Sequence, residues 1–86
     1  MKRLIEEVPG GGLYSLMGER VLLLCGNYFY TGKLVGVNTT CIELEDPAIV
    51  YETGEWSAKS FKDEQKLHVK RFFVQTGAIE AFGLAK

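Results

Sequence analysis

The chain has 86 residues, a formal net charge of −1 and 47% hydrophobic residues. That length accommodates one domain, no apolar run of about 18 residues is present to cross a membrane as a helix, and a charge this close to zero excludes a strongly basic nucleic-acid glove while leaving room for local basic patches. A chain this short buries only roughly 60–65% of its unfolded surface, so a large apolar share stays wet or is covered by another chain, and self-association is the first expectation.

Residues Met1 to Pro9 carry Lys2, Arg3, Glu6 and Glu7 and lack the apolar stretch of a signal peptide. Residues 1–8 predict a brief helix with Leu4, Ile5 and Val8 on one side, ended by Pro9 and Gly10-Gly11-Gly12. The triple glycine reads as a hinge; a phosphate cradle would need a lysine and a Ser or Thr at a fixed distance, and none follows. Leu13–Met17 is a helical turn with Gly18 placed to cap it, since glycine takes the left-handed backbone at little steric cost. Arg20–Cys25 is a nearly continuous apolar run and reads as the first strand. Gly26-Asn27 is turn chemistry. A second strand resumes at Tyr28-Phe29-Tyr30-Thr31, where aromatic and β-branched residues suit a pleated surface. Gly32 and Gly36 interrupt it, and glycine inside a strand marks a bend or a close backbone approach, which is what a small barrel needs.

Asn38-Thr39-Thr40 forms the next turn. Ile42 and Leu44 then alternate with Glu43 and Glu45 in a half-buried third strand, which Asp46-Pro47 breaks or bulges before Ala48–Tyr51 continues it. Thr53–Gln65 is the least regular stretch and reads as a long hairpin connection holding some extra strand. Leu67, Val69, Arg71 and Phe73 alternate with His68, Lys70, Phe72 and Val74 in a fourth strand. Gln75-Thr76-Gly77 is a tight turn, and Ala78–Phe82 a short fifth strand. The sum is a mainly β domain: a small, strongly bent, five-stranded antiparallel, barrel-like sheet with a short N-terminal helix.

Catalytic chemistry is sparse. His68 is the single histidine, in a strand with Lys70 on the same side, and reads as a surface residue. With Cys25 and Cys41 it makes three zinc ligands at most, without paired spacing, so no metal and no cofactor is expected. Both cysteines sit in apolar runs and read as reduced, partly buried thiols of a cytoplasmic protein. Glu43 and Glu45 share a strand face, and the solvated side of an alternating strand accounts for them. Thr31-Gly32-Lys33 imitates the end of a phosphate loop, but from Gly26 the spacing is a residue too long and Leu34 stands where Ser or Thr must reach magnesium. No nucleophile–base pair remains, and an enzyme is not expected. Charge is uneven: acids dominate from Glu19 to Glu55, whereas Lys59, Lys62, Lys66, Lys70 and Arg71 outnumber Asp63 and Glu64 from Trp56 to Arg71. Trp56 and Phe61 are interleaved with these cations, which fits either base stacking or a solvated hairpin whose aromatics tuck onto the barrel.

The helical turn, Gly18, the apolar strand, the Gly-Asn turn and then Tyr30-Thr31-Gly32-Lys33-Leu34, with Val37-Asn38 in the places of a hydrophobic residue and an aspartate, resemble the first motif of the Sm-like (Sm/LSm) family. Val74-Gln75-Thr76-Gly77-Ala78-Ile79-Glu80-Ala81-Phe82 is similar in spacing to its second motif. The resemblance implies a single domain over residues 1–86, with 1–12 an N-terminal extension and 13–82 an Sm-like core of the SH3-type barrel class. It further implies that the fourth strand of one copy pairs with the fifth of the next to close a homo-oligomeric ring of about five to seven subunits. Open edges carrying Leu67, Val69, Phe72, Phe73, Val74 and Ile79 would otherwise aggregate. By the same resemblance the ring lumen binds single-stranded RNA, through turns that here are Asn38, Thr39, Thr40 and Gln75, Thr76, Gly77. Asn38 replaces the usual aspartate, Thr39 or Thr40 stands at the stacking position, the recognition asparagine falls on Cys41 or Ile42, and Gln75 and Thr76 replace an arginine and a glycine. Asn38, Thr40 and Gln75 can hydrogen-bond a base but stack it poorly and supply no cation to a phosphate. Two functions follow: an RNA-binding ring, chaperone or scaffold, with an altered pocket, or a structural ring that has lost RNA recognition and docks protein through Trp56 and Phe61.

Overall fold

The computed structural model describes residues 12–85; the helix expected over residues 1–8 lies outside them. A 3-10 helix over Leu13–Leu16 precedes six strands: β1 (Arg20–Cys25), β2 (Phe29–Val37), β3 (Cys41–Glu52), β4 (Asp63–Lys66), β5 (Phe72–Gln75) and β6 (Ile79–Leu84). Gly18 ends the helical turn with φ 83°, as its position suggested. The turn is then clasped to the sheet: Gly18 N donates to Leu34 O at 2.7 Å and Leu34 N to Glu19 O at 2.9 Å.

The strands form one antiparallel sheet in the order β4-β3-β2-β1-β6, with β5 beside the other half of β3. Its bend is written into the β2–β3 pairing. Between the pairs Thr31–Ala48 and Lys33–Glu45, β3 uses one residue more than β2. The surplus falls at Asp46-Pro47, where Asp46 takes the left-handed conformation with φ 51°. Between Leu34–Leu44 and Gly36–Glu43 the surplus passes to β2, at Val35. Each such bulge bends its strand and sharpens the twist. Gly32 lies inside the bend: a Cβ there would stand 2.9 Å from Leu44 Cβ and 3.3 Å from Glu45 O, so this glycine is a close approach of two backbones.

The bend corrects the expected fourth strand. Leu67–Val74 does not run as one strand, because its partner β3 turns a corner at Asp46-Pro47. Instead β4 pairs with Ala48–Glu52 and β5 with Cys41–Leu44. Residues 67–71 cross the corner, with Leu67 N donating to Pro47 O at 2.9 Å. The five expected strands are therefore six, the added one opening at Asp63 within the stretch read as a long connection. His68 and Lys70 lie in the crossing and not on a strand. At the other end a 3-10 turn over Thr76–Ala78 stands where a tight turn was expected, and β6 runs on to Leu84. The sheet curls without closing into a barrel. Among the described residues β6 pairs with β1 alone, and β4 and β5 pair with β3 alone, so one edge each of β4, β5 and β6 is open. No helix among them is long and apolar enough to cross a membrane.

Val21, Leu23, Cys25, Leu34, Ile42, Leu44 and Val74 form the core, with Leu13 and Leu16 of the 3-10 helix, Tyr30, Phe72 and Ile79 packed against it. The other face of the sheet carries a second apolar layer. There Phe29 pairs with Val50, and the Trp56 ring lies 6.3 Å from those of Phe29 and Phe61. Buried Thr31 lies on this face. Its hydroxyl donates to the Glu64 carboxylate and accepts from Arg20 Nη2 at 3.2 Å, while Arg20 Nη1 reaches Asp46 O at 3.2 Å. These bonds tie β1, β2, β3 and β4 together across the bend.

Replacing Gly32 with alanine forces Leu44 or the β3 backbone outward. Gly32→Ala is expected to lose about 1–3 kcal/mol of stability, read as a lowered urea midpoint. Gly36→Ala, whose Cβ would meet Glu43 Cβ at an ordinary 3.5 Å, serves as the control and shifts the midpoint much less.

Candidate functional site

The pairing of β5 with the start of β3 brings the two turns singled out in the sequence side by side. Asn38–Thr40 closes the β2–β3 hairpin, and Thr76–Ala78 follows β5, which pairs with the start of β3 through Cys41–Gln75. Thr76 N donates to Thr40 O at 2.9 Å, and Thr76 Oγ1 to Thr39 O at 3.0 Å. Asn38 organises its own turn. Its Oδ1 accepts from Thr40 N at 2.8 Å, Thr40 Oγ1 at 3.0 Å and Cys41 N at 2.9 Å, the local bonding that favours asparagine in turns. That oxygen is committed to the backbone, and the hydroxyl protons of Thr40 and Thr76 are committed as well. Among the described residues the Gln75 carboxamide makes no side-chain hydrogen bond, and it offers both a donor pair and an acceptor.

The groove beside these turns is lined by Thr39, Thr40, Cys41, Phe73, Gln75, Thr76 and Gly77. All six turn residues named from the sequence thus lie in or next to one open surface, Asn38 supporting it from behind. Phe73 is the addition. Its ring is 47% exposed, and the Arg71 guanidinium stacks over it at 4.9 Å from the centroid. Arg71 in turn holds Glu43 in a two-pronged pair, Nε to Oε2 at 2.8 Å and Nη2 to Oε1 at 3.0 Å. The hydrogen bonds from Arg71 hold the Glu43 carboxyl below its ordinary value, and raise the Arg71 pKa. Glu43 is therefore a structural partner of Arg71 rather than a plain solvated acid. The signal for this patch is present in the sequence, since Arg71, Phe73 and Gln75 are spaced two apart as one strand face requires.

Of the residues named for self-association, Phe72 and Val74 point into the core from β5 and Ile79 does so from β6, while Phe73 faces outward. Leu67 and Val69 fall in the crossing segment, Val69 being 50% exposed. β6 also presents Phe82 and Leu84, 43% and 63% exposed. They pair with Leu23 and Val21, so they continue the core face past the last covered row. A second cleft, lined by Tyr28, Tyr30, Phe72 and Glu80 among others, separates β5 from β6. Glu80 is the surplus residue of a bulge opposite Leu24–Cys25. Burial first, and then the charge of Glu80, push the Cys25 thiol up, so it stays protonated at neutral pH and is no nucleophile. Among the described residues no three His, Cys, Asp or Glu side chains converge as metal ligands. The basic 59–71 segment is partly neutralised, Lys62 by Glu52 at 3.3 Å and Arg71 by Glu43. Trp56 is 57% exposed and packs on the opposite layer, away from the turns.

No family model, no curated protein and no solved structure matches this chain.

Because Glu43 titrates below an ordinary glutamate in the folded chain, its pair with Arg71 contributes stability above the unfolded value. That contribution is lost as pH falls through the lower folded value. A carboxyl-detected NMR titration is expected to place Glu43 below the ordinary glutamate range, and Arg71→Gln to return it to that range.

Proposed function

We propose that this protein is an Sm-like ring-forming protein that binds single-stranded RNA in the groove between its two apposed turns, as a non-catalytic RNA chaperone or scaffold. The observation that carries the reading is the convergence of the Asn38–Thr40 and Gln75–Gly77 turns, joined by two hydrogen bonds from Thr76, beside the β5 and β6 edges that are unpaired among the described residues. A helical turn leading into a bent antiparallel sheet is what the family resemblance implies for the fold.

The ring follows from the edges. Among the described residues β5 and β6 each leave a row of backbone donors and acceptors without a partner, and Phe82 and Leu84 leave apolar surface beside them. Pairing β5 of one copy with β6 of the next satisfies both rows, and a constant rotation closes the circle. In that circle the apposed turns of each copy repeat around the lumen. Free thiols at Cys25 and Cys41 suit a reducing, cytoplasmic setting. RNA contacts fall to Gln75, Thr39, Thr40 and Thr76, with neutral hydrogen-bonding groups where the family places an arginine, so binding here depends little on phosphate charge.

The exposed Trp56 ring supports a second reading, a ring that has kept assembly and docks protein. Native mass spectrometry and fluorescence anisotropy separate the two. The expected result is one closed species of fixed stoichiometry that saturates with a short U-rich or A-rich RNA. Phe82→Lys, which places a charge at the open edge, is expected to yield single copies. A soluble, folded single copy of the native chain at micromolar concentration overturns the ring. An assembled ring that binds neither RNA, while Gln75→Arg does, overturns RNA recognition and leaves the docking role.

A further inference from the structure

We infer that Phe73 is a base-stacking platform: the Arg71 guanidinium backs its ring, and an unpaired nucleobase lies against its open side with its hydrogen-bonding edge turned to the Gln75 carboxamide. This rests on the RNA-binding reading above and names the side chain that replaces the missing stacking residue of the β2–β3 turn.

Four observations meet at this point. Phe73 projects from the outer side of β5, opposite Glu43, so it contributes nothing to the core. It nevertheless leaves 47% of its surface in water, and the ring stands at the wall of the groove that also holds Gln75, Thr39 and Thr40. Arg71 lies over the ring with Cζ 4.9 Å from the centroid. An arginine left to itself would reach for phosphate, but here both prongs are taken by Glu43 at 2.8 and 3.0 Å. The guanidinium is thereby fixed as a lid on one ring face and polarises the π-system. Gln75 lies two residues on, on the same side of β5, with its amide uncommitted among the described residues, and a carboxamide can give and take one hydrogen bond each with a base edge. Platform, backing and reader are thus supplied by a stretch of five residues, and the facing Thr39 and Thr40 bound the slot.

The charge arrangement has a consequence that separates this site from a phosphate-led one. Arg71 and Glu43 cancel, so occupying the slot releases few counterions, and affinity comes from stacking. The slope of log affinity against log salt is therefore shallow, with a magnitude of about 1 or less. Purines, with the larger face, bind more tightly than pyrimidines at this position.

The test uses the assembled full chain, labelled A-rich and U-rich RNAs and fluorescence anisotropy at low and moderate salt, with native mass spectrometry run on every variant. Phe73→Leu keeps apolar bulk on β5 and removes the π face. It is expected to weaken RNA binding by roughly 5- to 100-fold, the range of one lost base stack, with the oligomeric state unchanged. Phe73→Trp is expected to bind at least as tightly as the native chain, a rescue that a merely structural role for the ring would not produce. If the native chain binds RNA and Phe73→Leu binds equally well, the platform is overturned and the RNA-binding reading stands. If the native ring binds neither RNA, the RNA-binding reading falls and the platform with it. A steep salt slope in the native chain also overturns it, since phosphate contacts would then be carrying the affinity.

Discussion

The corner in the β2–β3 hairpin is the constraint on which the remaining architecture depends. Two residues of surplus, one on each strand, are accommodated within a few steps of each other, at Asp46 with its left-handed backbone and at Val35. Gly32 allows the two backbones to meet there at a distance no side chain would permit. Since β3 emerges from the corner in a new direction, no single straight strand can follow its outer edge, and the partner divides into β4 and β5. The second piece is then delivered to the β2–β3 turn, where Thr76 can reach Thr39 and Thr40.

Polar bonding reinforces the corner where apolar packing alone would be indifferent to it. Thr31 is fully buried, and a hydroxyl in that position is tolerated because both its donor and its acceptor capacity are used, toward Glu64 and from Arg20. Arg20 also takes the carbonyl of Asp46, the residue that carries the bulge. A valine would fill the space of Thr31 but remove the hydroxyl that links Arg20 to Glu64, leaving only their direct contact at 3.9 Å. On the outer side, the Arg71–Glu43 pair does similar work for β5, in a more exposed setting where ion pairs contribute little on their own. Its value there is to orient the guanidinium.

Much of this was legible in the sequence, and the reasons are local. Glycine at position 18 after an apolar turn, Gly26-Asn27 between two apolar runs and Asn38-Thr39-Thr40 before an alternating segment each encode their own geometry, and the first three strands lie where these signals put them. Asp46-Pro47 announced its bulge. The misreading was downstream of that bulge: Leu67–Phe73 alternates as cleanly as any strand in the chain, yet alternation records only which residues suit a pleated surface. Whether a straight partner exists for them is a property of β3. The side-by-side placement of the two turns was reached through a family resemblance, since spacing alone does not tell which loops meet. From sequence Phe73 reads as an edge residue, because aromatic content near an open strand suggests association. That its ring faces away from the core, capped by the guanidinium two positions back, depends on Glu43, thirty residues earlier in the chain and visible only once β3 and β5 are paired.

The position of the one indole in this molecule bears on how its unfolding is to be followed. Trp56 belongs to the connection between β3 and β4 and rests against Phe29 and Phe61, on the layer opposite the main core. Its emission therefore reports the seating of that connection. A peripheral segment of this kind opens at lower free energy than the buried strands. A fluorescence melt that precedes the loss of far-ultraviolet circular dichroism would mark such a separate, earlier event, and coincidence of the two signals would mark a cooperative unit that includes the connection.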